Sequence, residues 1–317
     1  MKYILLLILF SFCIQKKNQT ISAESGAVTI VAQAGRGILG LDIRVGNIGW
    51  TRGCETRMGN LAADSFAWKA NTQLGLMNGG GIRHDRNVDL ISKGTVFTRT
   101  ILDSFMPFSN NLNVYNLNAY RIKQAMEGGV NKLLTSKTFS SSDDNDSDGP
   151  QHGNCYGIVG DLEGSGRFLF VNSRWKFKIN PINVPQSITG SASDKTLRVL
   201  SEGRRITEIQ FDGNLLYSNS SGDPNSGWTS GRSSCTIKGI SFNQSSACNF
   251  YSVTISDFYA SGGDENPSFN SELQEIQNDG TAINLGRNAG VDKNAILEYI
   301  INFSTYYPRV EGRLNLP

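Results

Sequence analysis

Three consecutive glycines, Gly79, Gly80 and Gly81, stand between an apolar run and an arginine in the stretch LMNGGGIRHD. A glycine run at the end of a strand lets a ligand approach main-chain N–H groups, because no Cβ stands in the way. Arg83 follows and supplies a planar, permanently charged group that suits phosphate or carboxylate. The pattern indicates an anion-binding loop, although a tight turn with a surface arginine would have the same sequence.

A second glycine pair occurs in SDFYASGGDENPSF, where Phe258 precedes a turn of small residues and Asp264 follows it. An aspartate after such a turn can accept hydrogen bonds from the hydroxyl groups of a sugar. The alternative is an aspartate that caps its own turn and has no ligand.

A third candidate is the stretch FMPFSNN, in which Pro107 fixes the chain and Phe108 stands at the start of a polar loop. An aromatic residue in this position more commonly belongs to the core. If Phe108 and Phe258 faced each other, they could hold a nucleobase between them, since stacking contributes about 1–3 kcal/mol per base. No rule of spacing brings these two residues together.

The composition is that of a globular protein with one large domain or two ordinary ones. The chain has 317 residues, of which 38% are hydrophobic, and its formal net charge is +2. This balance gives no reason to expect binding to polymeric nucleic acid or to a membrane surface through bulk charge. Affinity for a phosphorylated ligand would have to come from a few placed cations.

The N-terminal stretch MKYILLLILFSFC has the outline of a signal peptide and is short for a transmembrane helix. One interpretation is cleavage before Cys13, which would then carry lipid, with a polar tether after it. Cleavage after Ala23 and an uncleaved cytoplasmic chain are the alternatives. The favoured interpretation predicts an exported protein, periplasmic or anchored through Cys13 to a bacterial membrane or cell surface.

Without Cys13, the chain retains an even set of cysteines, as expected of disulfide bonds in an exported protein. Cys235 and Cys248 bracket a short serine-rich stretch and are predicted to form one bond. Cys54 and Cys155 are the remaining pair. Four free thiols are the alternative.

The periodicity of the chain predicts an α+β fold in which helices pack against mixed sheets and antiparallel hairpins dominate the second half. The stretch MGNLAADSFAWKAN is predicted as a helix and QLGLMN as a strand. Asn118 is a predicted N-cap of a helix whose apolar face runs from Ile122 to Leu133. The dipeptide at 212–213 predicts a hairpin turn, and a final amphipathic helix begins near residue 293.

The predicted organisation is a signal segment at 1–13, a tether and extension at 14–44 and one domain at 45–317. Two polar, turn-rich insertions, at 136–154 and 217–234, interrupt this domain. Both insertions are predicted to be surface loops or disordered.

Five stretches of the sequence carry a resemblance to a known family: ETRMGNLAAD, LMNGGGIR, MPFSN, FYASGGD and YYPRVEGRL. They occur in the order seen in the C-terminal domain of 5′-nucleotidases, the family that includes bacterial periplasmic UDP-sugar hydrolase and animal ecto-5′-nucleotidase. The resemblance runs from about residue 50 to the end of the chain. It implies the C-terminal-domain fold of that family, whose role is to hold the substrate.

The resemblance also implies roles for individual residues. Phe108 and Phe258 resemble the aromatic pair that stacks on the base, and Asn78 resembles the asparagine that contacts the base. Asp264 resembles the carboxylate that holds the ribose hydroxyl groups.

The arginines that reach the phosphate in the family are represented by Arg83 and Arg52. Arg52 is assigned by its distance from the MGN stretch, and Arg57 is a nearby substitute. Asp257 stands where an asparagine is usual in the family, which leaves the finer base contacts open.

Full-length family members begin with a metallophosphatase domain that supplies two divalent metals and a His–Asp pair. Two-metal hydrolysis needs a set of Asp, His and Asn ligands to generate the nucleophile. The only histidines in the sequence are His84 and His152. The sequence has neither an Asp-x-His pair nor a Gly-Asn-His-Glu/Asp stretch. No cofactor is therefore expected in this chain, and divalent metals are expected only in a partner metallophosphatase.

Three hypotheses follow for function. The chain is the recognition half of a nucleotidase with a separate metal-bearing subunit, a surface protein that binds nucleotides or nucleosides without chemistry, or a surface protein that has lost its ligand. Retention of both aromatic residues, Asn78, Arg83 and Asp264 argues against the third.

Overall fold

The computed structural model describes part of the chain, all of it within the compact unit Ala32–Pro317. The described residues are 38–39, 43–44, 48–83, 90–92, 94–139, 145–146, 149–150, 152–158, 166–190, 196–219, 222–266, 282–303, 305–307 and 309–317. Cys13, the predicted signal segment and His84 lie outside these residues. Within them, no helix has both the length and the apolar character needed to cross a bilayer.

The described helices are α1 (Ile48–Gly53), α2 (Arg57–Ala70), α3 (Arg99–Phe105), α4 (Ala119–Val130), α5 (Asp257–Ala260) and α6 (Asp292–Phe303). A side chain caps the N-terminus of α2, α3, α4 and α5. The hydroxyl of Thr56 accepts a hydrogen bond from the amide of Gly59 at the start of α2. Asn118 caps α4 in the same way through the amide of Arg121, as the sequence predicts.

The strands are β1 (Ile38–Leu39), β2 (Ile43–Arg44), β3 (Leu74–Asn78), β4 (Leu90–Ile91), β5 (Asn111–Asn118), β6 (Leu133–Phe139), β7 (Asn145–Asp146), β8 (Gly149–Pro150), β9 (Cys155–Ile158), β10 (Leu169–Val171), β11 (Trp175–Ile179), β12 (Ser187–Thr189), β13 (Arg198–Ser201), β14 (Ile206–Phe211), β15 (Asn214–Ser218), β16 (Cys235–Ile237), β17 (Ile240–Phe242), β18 (Phe250–Ser256), β19 (Ala282–Val291), β20 (Thr305–Tyr306) and β21 (Leu314–Asn315). Most of them are short. The longest are β19 and β5, with ten and eight residues, followed by β6 and β18 with seven each.

Two sheets organise the strands. One has five strands in the order β10-β3-β18-β5-β19, and the other has four in the order β15-β14-β11-β21. In the first sheet β18 runs parallel to β3 and antiparallel to β5. The hairpin between β14 and β15 turns at Asp212 and Gly213, both with positive φ, as predicted. The α+β fold with mixed sheets and antiparallel hairpins is confirmed.

Helix α2 packs directly on the five-stranded sheet. A Cβ on Gly75 in β3 would lie 2.1 Å from the carbonyl oxygen of Ala63 in α2, so only glycine permits this approach. Leu61 and Phe66 of α2 are fully buried in the main core. Trp68 lies at the border of that core, where its ring contacts Tyr299 of α6 edge to face.

The predicted apolar face of α4 is too long. The helix ends at Val130, and Leu133 is instead the first residue of β6, where it pairs with Ile158 of β9. Gly128 and Gly129 have low helix propensity, so the helix ends just after them and the apolar Leu133 joins a strand instead. Leu133 is buried all the same, because either element places it against the core.

The two polar insertions are not merely loops. Insertion 136–154 contains the end of β6 and the small β7–β8 pair. Strand β9, which pairs with β6, follows the insertion directly. In insertion 217–234, Tyr217 is fully buried and its ring lies 4.8 Å, centroid to centroid, from that of Trp228. The polar composition hid these few aromatic anchors, which pack beside a second small core around Tyr120 and Phe242.

Disulfide bonds join Cys54 to Cys155 and Cys235 to Cys248 in the structure. The first attaches the β6–β9 hairpin to the junction of α1 and α2. The second joins β16 to the turn before β18. Both pairings are those that the count and spacing of the cysteines favour.

Candidate functional site

One edge of the five-stranded sheet collects the residues that could carry chemistry. Strands β3 and β18 run parallel and end there, with Val253 beside Leu74. Strand β5 is antiparallel to β18 and strand β10 is antiparallel to β3, so both begin at that same edge. The segments that follow β3 and β18 and precede β5 and β10 therefore meet, and we call their meeting place the cleft.

The glycine triplet after β3 forms a single 3₁₀ turn whose amides are largely engaged within the chain. Gly79 donates its N–H to the carbonyl of Phe168 at 2.7 Å, and Gly80 donates to the carbonyl of Gly166 at 3.0 Å. The expectation that this run presents its N–H groups to a ligand is wrong for these two residues. The reason is that the chain before β10 crosses close to the turn and takes both donors.

Close approach of other parts of the protein explains why the triplet is glycine. A Cβ on Gly79 would lie 1.9 Å from the carbonyl oxygen of Thr51. A Cβ on Gly80 would lie 2.7 Å from Oδ2 of Asp264 and 2.8 Å from Cα of Gly166. The triplet therefore lets α1, the segment before β10 and the Asp264 carboxylate converge on one point.

Asp264 lies at the centre of this convergence. Its Oδ2 accepts a hydrogen bond of 2.5 Å from Nδ2 of Asn78, the last residue of β3. Among the described residues no donor is bonded to its Oδ1. Burial raises the pKa of the Asp264 carboxyl above its ordinary value, and the hydrogen bond from Asn78 and the nearby guanidinium groups oppose that rise.

Three arginines supply positive charge around this carboxylate: Arg52, Arg83 and Arg167. Arg52 is in α1 and is buried, directly after the residue whose carbonyl contacts Gly79. Arg57, the substitute that the sequence offered, directs its Nε to the carbonyl of Pro150 at 3.1 Å. The structure thus groups Arg52 with Asp264 and turns Arg57 toward the insertion at 136–154.

Arg83 is held beside an aromatic ring. Its amide donates to the carbonyl of Phe105, and its guanidinium lies over the ring of Phe108, 5.4 Å from the centroid. Within the described part of the chain, its side chain forms no ion pair and its buried Nε has no hydrogen-bond acceptor. A cation whose Nε lacks an acceptor in this part of the chain suits an anionic ligand.

The two candidate stacking residues are exposed on the segments that flank the cleft. Phe108 lies between α3 and β5 and is 47% exposed, and Phe258 lies in α5 and is 46% exposed. The carboxylate of Asp257 links their segments by accepting from Nδ2 of Asn111 at 3.1 Å. Single exposed apolar side chains are ordinary on a protein surface, so what distinguishes these two is that both lie on segments that flank the cleft.

Arg167, Tyr259 and Asn266 support the cleft and were not singled out from the sequence. The Tyr259 hydroxyl donates to the carbonyl of Arg167 at 2.9 Å and accepts from Nδ2 of Asn266 at 2.6 Å. Arg167 is buried and donates to Oδ1 of Asn131. A charged residue directly before the apolar strand FLFV was the one available signal.

The described residues do not fit a two-metal centre. The His, Cys, Asp and Glu grouping with metal-like spacing in the described part of the chain is that of Cys54, His152 and Cys155, all buried. The disulfide bond consumes both thiol groups, which leaves one imidazole. Two-metal phosphatase chemistry uses carboxylate, imidazole and amide ligands in number, and no step through such a centre follows from these residues.

Comparison with known proteins identifies a family for this chain. The family model described as the 5′-nucleotidase C-terminal domain matches residues 43–220. The chain is 37% identical over 83 residues to the "Trifunctional nucleotide phosphoesterase protein YfkN" of Bacillus subtilis (strain 168), which is 25% of this chain and 5% of that protein. The matched part is therefore a small fraction of that relative.

Among solved structures, the fold is similar to the 5′-nucleotidase precursor of Thermus thermophilus, with a TM-score of 0.51 and 21% identity over 90% of this chain and 39% of the other. The NAD nucleotidase of Haemophilus influenzae also matches, with a TM-score of 0.49 and 15% identity over 90% of this chain and 38% of the other. The chain spans about two fifths of the length of these proteins. Since the family model covers more than half of the sequence, this chain belongs to the 5′-nucleotidase C-terminal domain family.

Proposed function

We propose that the chain binds 5′-nucleotides in the cleft and is the recognition half of a nucleotide hydrolase. The observation that carries this proposal is the pair of Asp264 and Arg83 at one sheet edge: among the described residues, Oδ1 of Asp264 has no donor and the buried Nε of Arg83 has no acceptor. A carboxylate that accepts from vicinal hydroxyl groups and a cation that pairs with phosphate match the two polar parts of a nucleotide. Phe108 and Phe258 offer exposed aromatic faces for the base.

In this proposal the chain binds and orients its ligand, and a separate metallophosphatase polypeptide carries out hydrolysis. The nucleotide's base would stack between the aromatic rings, its ribose would rest on Asp264 and its phosphate would lie against Arg83 and Arg52. The second candidate is a nucleotide-binding protein without chemistry, and the failure of the described residues to fit a metal centre agrees with both candidates. A gene for a metallophosphatase domain beside the gene for this chain would favour the first.

The proposed location follows from the sequence of the N-terminal stretch. We propose that the chain is exported and attached to a bacterial membrane by lipid on Cys13. Radiolabelled palmitate incorporation that is lost in Cys13→Ser would support attachment. Incorporation that is equal in both proteins would contradict it.

The experiment that tests the proposed function measures binding and hydrolysis by the full purified chain. Titration calorimetry is expected to detect AMP binding, with AMP about 10–100-fold tighter than adenosine because charge-assisted hydrogen bonds contribute about 1.5–3 kcal/mol. Arg83→Met should reduce this preference and leave adenosine affinity nearly unchanged. A phosphate assay with Mn²⁺, Zn²⁺ or Co²⁺ should detect no product.

Two results would contradict the proposal. If the chain binds neither AMP nor adenosine, the proposal that it recognises nucleotides is wrong. Phosphate release that persists through purification and is lost in Asp264→Ala would show that the chain hydrolyses nucleotides by itself.

Adenosine binding should weaken as the pH is lowered, and the loss should begin at a higher pH than it would for an aspartate with an ordinary pKa. The pKa of Asp264 is raised above 3.8, chiefly by burial, and only its ionised form offers both oxygens as acceptors. Adenosine affinity is therefore expected to be constant at neutral pH and to fall as the pH drops through that raised pKa. Adenosine is the suitable ligand because it has no phosphate that titrates near pH 6.

The matched control is Asp264→Asn, which is expected to bind adenosine more weakly but has no carboxylate to titrate. Its affinity should stay flat over the pH range in which that of the unaltered chain declines. The same decline in both proteins would show that another group is responsible.

A further inference from the structure

A cavity of about 730 Å³ opens on the protein surface at the start of β18, the end of that strand that lies away from the cleft. The side chains that line it include those of Ser230, Arg232, Ser233, Asn249, Phe250 and Tyr251. Phe250 begins β18 and Ser256 ends it at the cleft, so about 20 Å of strand separates the two places. The cavity is therefore distinct from the cleft.

The chain around the cavity is held in place without a ligand. The disulfide bond between Cys235 and Cys248 braces it, and Cys248 also lines it. The N–H of Gly231 donates to the carbonyl of Gln244 at 2.6 Å, and a Cβ on Gly231 would lie 2.3 Å from the carbonyl carbon of Ser245. Only glycine permits this approach, which holds the loop before β16 against the turn before β18. A cavity whose walls are already fixed loses little conformational entropy when it binds a ligand.

The charge at the cavity is positive. Arg232 is the one charged residue among the described residues that line it. Its side chain is exposed, and no ion pair within the described part of the chain engages its guanidinium. Asp212, whose charge reaches the neighbouring Tyr251, is already paired with Arg174. A guanidinium in these surroundings can offer two parallel N–H groups to a carboxylate.

The rest of the lining combines an aromatic face with several hydrogen-bonding groups. Phe250 is 44% exposed and forms part of the cavity wall, which sets it apart from an isolated surface aromatic. The hydroxyl groups of Ser230 and Ser233 and the amide of Asn249 can each donate and accept hydrogen bonds. A sugar ring presents the complementary pattern, with C–H groups on its faces and hydroxyl groups around its rim. A flat apolar ligand would displace water from these polar groups and leave them without partners.

We propose that this cavity binds an acidic sugar, a uronic acid whose carboxylate pairs with Arg232 and whose ring lies on Phe250. The hydroxyl groups of the sugar then form hydrogen bonds with Ser230, Ser233 and Asn249. Free uronic acids and the units of an acidic polysaccharide share this chemistry. The site is independent of nucleotide binding in the cleft.

The test compares D-galacturonate with D-galactose, which has the same ring hydroxyl groups but a CH₂OH group in place of the carboxylate. NMR titration of the full chain is expected to find galacturonate bound on the order of 10-fold more tightly, the size of one charge-assisted hydrogen-bonded contact. A linear trimer of galacturonate is the second arm. Tighter binding of the trimer than of the monomer would identify a polysaccharide as the source of the ligand, and equal binding would identify the free sugar acid.

Two variants assign the binding to the cavity. Arg232→Met should reduce the preference for galacturonate to about 2-fold or less and leave galactose affinity nearly unchanged. Phe250→Ala should weaken both sugars about 5-fold or more, because the face of the sugar ring loses the apolar surface that covers it. Both side chains are exposed, so neither change removes a core contact. AMP affinity should stay within about 2-fold in both variants, because the cleft is distant.

Arg198→Met and Phe258→Ala are the matched controls. Arg198 is an exposed arginine of β13 outside the cavity lining, so its loss should keep the ratio of the two sugars. Phe258→Ala should weaken AMP binding and leave galacturonate affinity unchanged. The opposite pattern, with galacturonate lost in Phe258→Ala and kept in Phe250→Ala, would place the sugar in the cleft and overturn the inference.

Other results would overturn it as well. The unaltered chain must bind galacturonate, and must bind it more tightly than galactose, for the inference to stand. A preference that survives Arg232→Met contradicts it, because another cation would then hold the carboxylate. The proposed function is tested separately, by AMP and adenosine, so its failure and the failure of this inference are distinguishable.

Discussion

Replacing Phe108 and Phe258 together by alanine is expected to weaken AMP binding on the order of 100-fold or more, because each ring stacked on a base contributes about 1–3 kcal/mol. Each single replacement should cost about 10-fold by the same reasoning. The two rings are exposed to almost the same extent, 47% and 46%, so their removal leaves no cavity in the core. Titration calorimetry with AMP measures the loss.

Phe250 provides a matched control for this experiment. It is 44% exposed and stands at the opposite end of β18 from Phe258. Phe250→Ala removes the same amount of exposed apolar surface and should leave AMP affinity within about 2-fold, since rigid stacking on a base is local. If Phe250→Ala weakens binding as much as Phe258→Ala, the effect is not stacking in the cleft.

Arg83 makes the two single variants informative in different ways. Its guanidinium lies over Phe108 but has no described contact with Phe258. Phe108→Ala therefore removes a stacking face and also the ring that holds the cation, whereas Phe258→Ala removes a face alone. The preference for AMP over adenosine is expected to shrink in Phe108→Ala and to persist in Phe258→Ala.

Local signals in the sequence predicted several elements of the fold. The helix of α2, the strand of β3, the cap at Asn118 and the turn at 212–213 each depend on residues within a few positions of one another. Leu133 shows the limit of such signals, because an apolar residue in helical register became the first residue of a strand. Pairing with the distant β9 decided its state.

What the sequence could not supply is the proximity of distant segments. That Phe108 and Phe258 reach the same edge follows only from the antiparallel pairing of β5 and β18, in which Ser256 stands opposite Leu112. The position of Arg167 beside the cleft and the hydrogen bond from the Gly79 amide to Phe168 both depend on β10 lying beside β3. No spacing within one stretch encodes these pairings.

The resemblance to the family also mixes two kinds of residue that the structure separates. Asn78 and Asp264 are at the cleft, whereas Asp64, Arg313 and Glu55 link the first and last resembling stretches inside the protein. A motif shared with a family therefore does not distinguish a ligand contact from a residue that holds the fold. Contacts and burial do.

Arg313→Met is expected to lower the free energy of unfolding by about 3–5 kcal/mol, the cost of removing one partner of a buried ion pair. Arg313 is 2% exposed, and its guanidinium binds Asp64 of α2 through both oxygens, at 2.9 and 2.8 Å. It also donates to the carbonyl of Val171 at 3.1 Å. Methionine fills a similar volume but leaves the Asp64 carboxylate buried without its cation.

The loss should reach the whole domain because Arg313 connects several elements. Leu314, the next residue, begins β21, which pairs with β11 beside Phe177. The carboxylate of Glu55 accepts hydrogen bonds from the amides of Glu311 and Leu314. These bonds connect the segment around Arg313 to the start of α2. Denaturant unfolding should show a lower midpoint, and the melting temperature should fall by roughly 6–20 °C for a domain of this size.

Arg174→Met is the control that separates burial from charge. Arg174 also pairs with an aspartate, Asp212, through two hydrogen bonds, but both side chains are more than two fifths exposed. Its removal should cost less than about 1 kcal/mol, since water replaces the lost partner. The double variant Arg313→Met/Asp64→Leu should regain part of the stability lost in Arg313→Met, because no buried charge is left unpaired. If Arg313→Met costs no more than Arg174→Met, or if the double variant is no more stable than the single one, the buried pair is not what joins the end of the chain to α2.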